Sequence, residues 1–546
     1  MKAHIDKAQK IWARGDSFIW LTGATLAGCM IMISGLLLAI LVNGVIYFWP
    51  SEVYRFELKD DTALFGEITD REEIIKIEKG EPVSYGFRIQ VKRGNRDLYG
   101  DDFIWVNEDD IKSRSMPETL TVFERREWGN FYGTIQEFRQ SGNTLATGHE
   151  KAFETFEEQM PRVEEILEEI KEIEKFKIGE INHDISDHKL NIRGLEMEGV
   201  KSGPEVDEER AAIAALEKEY EGYVTQLARL RSQLTPSLVV RTGDGRTQEI
   251  PLKQIVHAFQ PNAFGWIDRC VFFVGGLWEF IWGEPRESNT EGGIFPAIFG
   301  TVMMVMIMSI VATPLGVLAA FYLREYATQG KIVSTVRIAV NNLAGVPSIV
   351  FGVFGVGFFI YFVGGTIDKI FYPEALPTPT YGTGGILWAS LTLSLLTVPV
   401  VIVATEEGLA AVPRGIREAA LALGATKFET IFKIVLPAVM PSILTGLILA
   451  MARAAGEVAP LMITGVVKLA PALPIDSFYP FLHLDRKFMH LGFHIYDVGF
   501  QSPNVDAARP MVYTTTFLLL LIVLLLNSLA IALRNRLRKK LTISGL

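Results

Sequence analysis

The sequence has few of the residues that form disulfide frameworks or metal centres. Its 546 residues include only two cysteines, Cys29 and Cys270, and eight histidines. Cys29 lies inside a long apolar run, so a disulfide framework is not expected. The histidines show no spacing typical of metal ligands. We therefore expect no metal site, no cofactor and no catalytic residue.

The sequence also lacks a phosphate-binding loop and an excess of basic residues. The pattern Gly-x-x-x-x-Gly-Lys-Ser/Thr is absent: Gly330 and Lys331 are followed by Ile332, and Glu325 stands where the first glycine is needed. The chain is therefore not expected to be an enzyme that hydrolyses ATP. Its formal net charge is −10, which gives no indication of nucleic-acid binding.

Apolar residues, by contrast, are abundant and unevenly distributed. They make up 49% of the chain, and they cluster in runs of about 20 residues or more, the length needed to cross a bilayer. A charged central third separates the first run from the others. This pattern predicts a mainly α membrane protein with six transmembrane helices and a large external α+β insert. The predicted helices are residues 18–49, 295–323, 338–363, 386–404, 438–466 and 513–533.

Basic residues next to the runs predict the orientation of the chain. The first run is too long for a signal peptide and has no cleavage site after it. Lysine and arginine concentrate on the cytoplasmic side of membrane proteins, so residues 1–17 and the C-terminus are expected in the cytoplasm, and residues 50–291 outside. The basic residues that mark cytoplasmic segments are Lys2, Lys7, Lys10, Arg14, Arg324, Lys331, Arg414, Arg417, Lys427, Lys433, Arg534, Arg536, Arg538, Lys539 and Lys540.

The insert divides into three parts by pattern. Residues 51–145 and 236–256 read as short strands, with hairpins at 88–106 and 237–256. Residues 146–235 predict an antiparallel coiled-coil hairpin broken near Gly203. Its glutamate-rich faces are interpreted as solvated, and a partner at its tip stays open. Residues 271–282 are apolar but too short to cross, which favours an interfacial helix. The predicted seam is Phe156, Met160, Val163, Leu167 and Ile170 in one arm and Ile213, Leu216, Tyr220, Tyr223, Leu227, Leu230 and Leu234 in the other.

A short polar segment, residues 406–437, separates the fourth and fifth runs and contains two predicted helices. Pro413 suits the first position of the first helix, and Gly424 can end that helix in the left-handed conformation. Thr426 and Glu429 have the spacing of a capping box for the second helix. Pro437 is expected to end that second helix.

This segment resembles the EAA loop of permeases from bacterial ABC importers. The resemblance implies a cytoplasmic coupling helix that docks into a groove on a separate ATPase subunit. An ordinary loop between two membrane helices is the alternative. The residues that match the pattern are Glu418, Ala419, Ala420, Gly424, Ile434, Leu436 and Pro437.

The fifth run contains two charged residues, Arg453 and Glu457, four positions apart. In a continuous helix they would share one face, near the middle of the bilayer. Ionised groups there cost about 2.5–3.5 kcal/mol each on insertion scales unless they are paired or line a polar path. A guanidinium suits the oxygens of phosphate or sulfate. Glu457 can also accept a hydrogen bond from a protonated oxyanion, which favours hydrogen phosphate over sulfate. An ion pair that only fixes helix packing is the alternative.

Polar residues in the third run are further candidates for this path. Asn341, Asn342 and Ser348 can donate hydrogen bonds to an oxyanion, or equally to neighbouring helices. Residues 342–350, residues 452–461 and residues 314–326 resemble the phosphate branch of these permeases. The end of the chain, with Asn527 before a basic tail, resembles the PstA subunit more than the PstC subunit.

The resemblance carries further expectations about fold, partners and location. It implies a type I importer fold in a bacterial inner membrane. The implied partners are a PstC-like permease, a pair of PstB-like ATPase subunits and a PstS-like phosphate-binding protein, besides membrane lipid. Val458 departs from the threonine usual in the family, and the family's first external loop is short. The alternatives are a permease for sulfate or molybdate, and a membrane-anchored coiled-coil scaffold or sensor, which copurification with an ATPase would separate from a transporter.

Overall fold

The computed structural model describes residues 16–78, 81–502 and 505–543. The predictions for Lys2, Lys7, Lys10 and Arg14 lie outside these residues. Among the described residues, six helices are long and apolar enough to cross a membrane. We call them the first to sixth spans: Phe18–Ile46, Phe295–Tyr326, Ser348–Phe371, Ile386–Ala411, Lys427–Gly456 and Val505–Arg536.

The first helix, α1 (Asp16–Ile46), has little contact with the rest of the protein. Its contact is at the C-terminal end, where the Thr514 hydroxyl donates a hydrogen bond to the Gly44 carbonyl at 3.1 Å. A Cβ on Gly44 would lie 3.1 Å from the Tyr513 carbonyl oxygen, so the two helices are close there. The remaining apolar surface of α1 is exposed, as expected of a helix that faces lipid.

A five-stranded antiparallel sheet follows α1, with strand order β4-β3-β2-β1-β5. Alternate residues point to one side, where Phe56, Ile89, Val91 and Val106 are buried together. The pairing of β3 with β4 places Gln90 opposite Trp105. The elements are β1 (Val53–Leu58), β2 (Ala63–Glu78), β3 (Glu81–Lys92), the short helix α2 (Arg96–Tyr99), β4 (Phe103–Asn107) and β5 (Ile111–Ser115).

A second antiparallel sheet combines strands from both sides of the helical hairpin. The order is β10-β9-β7-β6-β11, and β8 pairs with β7. Phe123, Phe138 and Leu238 are fully buried in its core. The strands are β6 (Thr121–Arg125), β7 (Phe131–Gln140), β8 (Asn143–Thr147), β9 (Ser237–Arg241), β10 (Thr247–Pro251) and β11 (Ile255–Phe259).

The helical hairpin lies between β8 and β9. Its first arm is α3 (His149–Glu172), a π turn (Ile173–Lys177) and α4 (Ile178–Met197), and its second arm is α5 (Pro204–Gln233). Part of the predicted seam has a different partner, because Phe156, Met160 and Val163 pack against the second sheet. The arms meet further along, through Ile166, Ile170, Ile173, Leu227 and Leu230. Coiled-coil geometry stays a prediction.

The insert joins the membrane helices through α6 (Trp266–Trp282) and a two-stranded ladder, β12 (Pro285–Arg286) and β13 (Glu291–Gly292). The membrane helices then follow in chain order. They are α7 (Phe295–Phe321), α8 (Lys331–Leu343), α9 (Ser348–Phe354), α10 (Gly365–Phe371), α11 (Ile386–Ala411), α12 (Arg414–Ala422), α13 (Lys427–Thr430), α14 (Leu436–Gly456), α15 (Ala459–Thr464), α16 (Leu491–Tyr496) and α17 (Val505–Ile543). Single π turns extend α7, join α13 to α14 and follow α16. A longer π-helical segment of ten residues, Gly355–Gly364, joins α9 to α10.

The fourth span, α11, is the centre of the helix bundle. It packs between α7 and α14, with Met304, Leu393 and Ala454 in one buried cluster. Glycines allow the close approach: a Cβ on Gly446 would lie 2.7 Å from the Cβ of Ala404. Small residues at helix contacts are typical of membrane bundles.

All six spans have bounds that differ from the predicted ones, and in two of them the helix breaks inside the predicted run. The third span begins at Ser348 rather than at residue 338, because a turn that ends at Pro347 separates it from α8. The helix of the fifth span ends at Gly456 rather than at residue 466, because Glu457 is extended (φ −79°, ψ 135°). Pro347 ends the first break, and Pro460 follows Gly456 by four residues. A proline cannot donate to the carbonyl four residues earlier, and its ring clashes with that carbonyl, so the helix does not continue past Gly456.

Candidate functional site

The polar segment between the fourth and fifth spans folds as a helical elbow around Gly424. Gly424 has φ +86°, the left-handed conformation expected for it. Its N–H donates to the Leu421 carbonyl at 3.0 Å, and the Ala425 N–H donates to the Ala420 carbonyl at 3.2 Å. These bonds satisfy carbonyls at the end of α12. Pro413 is the N-cap of α12 rather than its first helical residue.

The second helix of the elbow begins as expected but does not end as expected. The Thr426 hydroxyl accepts a hydrogen bond from the Glu429 N–H at 3.2 Å, and Glu429 Oε2 accepts from the Thr426 N–H at 3.1 Å. Pro437 does not end the helix, because α13 continues through a π turn, Ile431–Val435, into α14. A π turn just before a proline opens the backbone where the ring would otherwise clash with a carbonyl.

The residues of the EAA pattern divide between the outside and the inside of the elbow. Glu418, Ala419 and Gly424 are exposed, whereas Ala420 is buried. Ile434, Leu436 and Pro437 are half-buried in the helix that leads into the membrane. The outer surface also carries large exposed apolar side chains, which are unusual on a surface in water. These are Leu421, Leu423, Phe428 and Phe432.

Arg417 holds the elbow against the membrane helices. Its Nη1 donates to the Val412 carbonyl at 2.7 Å, and its Nη2 donates to the Leu409 carbonyl at 2.9 Å. Nη2 is also 2.9 Å from Glu325 Oε1, at the C-terminal end of the second span. The arginine thus caps the last carbonyls of α11 and pairs with a second helix. The sequence did not predict this contact. Arg417 served there only to mark a cytoplasmic segment, and Glu325 only to show that the phosphate-binding loop is absent.

Arg453 and Glu457 come together at the end of α14. Arg453 Nε is 3.4 Å from Glu457 Oε1. The two do not share a continuous helix face, because the helix ends between them, but the extended Glu457 folds back toward Arg453. Their side chains are 33% and 20% exposed, so the pair lies at a surface of this chain rather than in its core. Within the described residues, Arg453 Nη1 and Nη2 make no hydrogen bond.

Asn342 and Ser348 lie on the two sides of the break before the third span. Asn342 is exposed in the last turn of α8, and Ser348 is half-buried at the first position of α9. In the described part of the chain, neither side chain has a hydrogen-bond partner. The helix α9 packs on α15, where a Cβ on Gly352 would lie 2.7 Å from Pro460 Cα. The breaks that carry Ser348 and Glu457 therefore occur in segments that pack together.

The segment between the fifth and sixth spans returns into the bundle beside Glu457. The His490 ring caps α16, since its Nδ1 accepts from the Gly492 N–H at 3.1 Å. A Cβ on Gly492 would lie 2.8 Å from Val458 Cγ2. Val458 thus packs on this segment. Sequence analysis missed His490, although its partner is only two residues away, because histidine is not one of the usual N-cap residues.

Comparisons with known proteins agree with this arrangement. Residues 312–542 match the family described as binding-protein-dependent transport system inner membrane component. The probable ABC transporter permease protein YqgI of Bacillus subtilis is 30% identical over 269 residues, which cover 48% of this chain and 85% of that protein. The chain belongs to the permease family of ABC transporters. This membership confirms the predicted fold class of a six-span, mainly helical permease with an α+β insert.

Within that family, the permease is of the PstA type. It is 37% identical over 204 residues to the phosphate transport system permease protein PstA 1 of Mycobacterium tuberculosis, with 37% of this chain and 60% of that protein covered. It is 36% identical over 183 residues to PstA of Yersinia pestis, with 33% and 56% covered. The matched segments thus span less than two thirds of both PstA proteins. A chain of the MetNI methionine ABC transporter overlays on 48% of the permease with 19% identity and a TM-score of 0.33, too low to support any argument.

Proposed function

We propose that this permease forms half of the transmembrane path of an ATP-driven importer of inorganic phosphate. The observation that carries the proposal is the state of Arg453. The guanidinium is only one-third exposed and is held by Glu457 through Nε, while its two terminal nitrogens have no hydrogen bond among the described residues. A planar pair of free N–H donors matches two oxygens of an oxyanion.

The comparison with Arg417 supports this interpretation. Arg417 uses both terminal nitrogens on carbonyls and on Glu325, as expected of an arginine whose role is structural. Arg453 also lies near a helix end. Its terminal nitrogens, however, make no hydrogen bond among the described residues. Partly desolvated donors without partners cost free energy, which a bound anion would recover.

Glu457 gives a physical reason to prefer phosphate among the oxyanions. A carboxylate beside the site accepts a hydrogen bond from an anion that still carries a proton. Hydrogen phosphate carries one at neutral pH, whereas sulfate does not. A missing hydrogen bond to a buried acceptor discriminates strongly between similar ligands. The PstA proteins to which the permease is similar are named as phosphate transport system permeases.

The elbow supports a role in coupling to ATP hydrolysis on other subunits. We place the elbow in the cytoplasm, where a pair of ATPase subunits would receive its exposed face, including Glu418 and Ala419. Closure of the ATPase pair would push on the elbow, and the continuous helix Lys427–Gly456 would carry that motion to Arg453. A homologous PstC-like permease would form the other half of the path, and a PstS-like protein would deliver phosphate from outside the inner membrane.

Uptake of radiolabelled phosphate by cells that contain the permease and its partner subunits tests the proposal. We expect Arg453→Ala to abolish uptake and Arg453→Lys to retain a small part of it, because a single ammonium replaces the fork of donors. Unlabelled sulfate should not compete in the intact protein. The matched control is Arg486→Ala, since Arg486 pairs with Asp476 in the segment between the fifth and sixth spans, away from α14.

Each result has a defined meaning. Normal uptake by Arg453→Ala would reduce the pair to a structural role and overturn the path assignment. Competition by sulfate would move the proposal to another oxyanion. Absence of phosphate uptake by the intact protein with its partners would overturn the phosphate assignment. Failure of the permease to copurify with an ATPase subunit would instead favour the membrane-anchored scaffold.

A further inference from the structure

The helix α6 presents an exposed stripe that consists only of apolar side chains. The stripe follows spacings of four, three, four and four residues, so it occupies one face of the helix. Its side chains are 55–74% exposed: 74% for Ile267, 67% for Val271, 63% for Val274, 66% for Trp278 and 55% for Trp282. A stripe of this kind on a surface in water would be costly, so it needs an apolar partner.

The charged residues of α6 all point away from the stripe. Asp268 accepts a hydrogen bond from the Gly265 N–H at 2.9 Å and so caps the helix. Glu279 accepts a hydrogen bond from Arg286 Nη1 at 2.7 Å. Arg269 lies 3.9 Å from Glu52. These contacts hold the helix to the insert and leave the stripe without charge.

The opposite face of α6 packs against the outer ends of two spans. Trp49, just after the first span, lies 5.4 Å from the Trp266 ring and 6.1 Å from the Phe273 ring, measured between centroids. Phe48 meets the Phe280 ring at 5.3 Å. At the C-terminal end of α6, the ring of Trp282, the last residue of the stripe, also stacks on Phe295, the first residue of the second span, at 5.4 Å. The helix therefore lies level with the external ends of both spans.

The length and the connections of α6 exclude a crossing of the bilayer. Its 17 residues extend for about 26 Å, less than a hydrocarbon core of about 30 Å. Both of its ends also lead to the same side, one to the second sheet and the other to the second span. Only a position parallel to the membrane surface is compatible with these connections.

We propose that the stripe of α6 docks into the outer leaflet of the bilayer and fixes the sheets of the insert to the membrane surface. Lipid is the occupant because the stripe continues the apolar surface of the first span, where Ile46 is 62% exposed. Trp278 and Trp282, at the C-terminal end of the stripe, suit the boundary between headgroups and acyl chains. The ion pairs of Glu279 and Arg269 then transmit this anchorage to the insert.

A fluorescent probe at Val274 tests the proposal in the full chain. Cys29→Ser and Cys270→Ser remove the native thiols, Val274→Cys is labelled with bimane, and the protein is reconstituted with its partner subunits into phosphatidylethanolamine–phosphatidylglycerol nanodiscs. We expect quenching by nitroxide-labelled lipid, as at Met32→Cys on the first span, and little quenching by aqueous iodide. The water control is Ala228→Cys on the exposed face of α5. Quenching by iodide alone, or exclusion of both quenchers by a protein partner, would overturn the proposal.

A second measurement avoids labelling and the cysteine background. Brominated lipids quench tryptophan fluorescence at short range, so the part of the quenching that is lost in Trp278→Phe reports on the stripe. The matched control is Trp128→Phe, since Trp128 is 46% exposed within the insert. We expect quenching to fall in Trp278→Phe and to stay unchanged in Trp128→Phe. An unchanged signal in both variants would contradict lipid contact at α6.

Discussion

At the scale of single residues, the arginines of the helix bundle differ in how many of their N–H groups are hydrogen-bonded. Arg337 donates to Glu406 at 3.0 Å and to the Leu323 carbonyl at 3.2 Å, and it thereby joins three segments. Arg417 likewise uses both of its terminal nitrogens. Arg453 contacts Glu457 alone among the described residues. An arginine that costs free energy in the membrane and still keeps free donors is the best candidate for binding an anion.

A second group of charged residues lies where the insert meets α6. His257 Nδ1 is 3.1 Å from Glu124 Oε2, and Glu279 and Arg286 lie nearby. The hydrogen bond with Glu124 raises the pKa of His257 above its usual 6.5. Burial alone would raise the pKa of Glu124, but the bond with His257 and the charge of Arg286 hold it below its usual 4.5. The charged pair is therefore favoured in the folded insert.

These shifts predict how the stability of the insert depends on pH. The raised pKa of His257 contributes stability that is fully present below pH 6.5 and is lost as pH rises through the folded-state value. The depressed pKa of Glu124 contributes stability above pH 4.5 that is lost as pH falls through its own folded-state value. We expect the loss of melting temperature in His257→Gln to be largest between these values, near pH 5.5, and to shrink toward pH 9, as measured by calorimetry.

His149→Gln serves as a control of opposite sign. Burial lowers the pKa of His149, so its charged form is disfavoured in the folded state. Its replacement should therefore cost less stability at pH 5 than at pH 8. The same pH trend in both variants would contradict the assignment of the His257 effect to its pair with Glu124.

At the scale of elements, the elbow depends on a backbone conformation rather than on a large core. Its first helix has nine residues and one buried side chain, Ala420. Gly424 reverses the chain, the capping box starts the next helix, and Arg417 fixes the elbow to α11 and to the second span. A short element held by a few directional bonds moves as a unit, as a mechanical coupling requires.

Gly424→Pro is expected to abolish transport while assembly stays nearly intact. Proline fixes φ near −65°, which is incompatible with the observed φ of +86°, and it removes the N–H that bonds to Leu421. The variant should copurify with the partner permease but lose ATP-driven phosphate uptake. Gly415→Ala is the matched control, because no atom lies within 4 Å of a Cβ there. Normal uptake by the Gly424 variant would contradict a coupling role for the elbow.

At the scale of the whole molecule, the helical hairpin contacts, at two places, chain segments that connect the membrane helices. Lys171 and Lys175 lie 3.0 and 2.8 Å from Glu284, which follows α6. Further along, a Cβ on Gly179 would lie 3.9 Å from Phe478, whose ring also meets His183. Phe478 belongs to the segment between the fifth and sixth spans. The first arm thus runs across the end of the bundle that we assign to the outside.

Reversal of charge at the first of these places should release the hairpin. The three side chains are about half exposed, so each pair is worth about 0.2–1 kcal/mol. For Lys171→Glu with Lys175→Glu we expect hydrogen exchange in α4 to increase by about two- to fivefold per pair lost. The further change Glu284→Lys should restore protection, because it re-forms both pairs with opposite polarity.

Arg162→Glu provides the control for the hairpin. Arg162 pairs with Glu165 within α3 and contacts no other element through that pair. Its replacement changes the charge of the hairpin by the same amount per residue, but it leaves both ion pairs with Glu284 intact. Equal hydrogen exchange in α4 for this control and for the double variant would show that the ion pairs with Glu284 do not stabilise the position of the hairpin.

Several features of the permease were predictable because they depend on residues close together in the chain. The six apolar runs, the left-handed Gly424 and the capping box at Thr426 and Glu429 need only local patterns and short-range hydrogen bonds. The EAA residues and residues 452–461 likewise sufficed to recognise the PstA-type permease. The break at Glu457 was also signalled locally by Pro460, although the pattern of apolar residues continued past it.

Other features were decided only by tertiary structure, since they depend on which distant segments meet. The seam residues Phe156, Met160 and Val163 pack on a sheet instead of the second arm. Arg417 pairs with Glu325, which lies 92 residues earlier in the chain, at the end of another helix. The free donors of Arg453 and the uncharged stripe of α6 became evident only when all other contacts were in place. Composition alone determined that this protein lies in a membrane, whereas long-range packing decided which of its polar and apolar groups remain available for function.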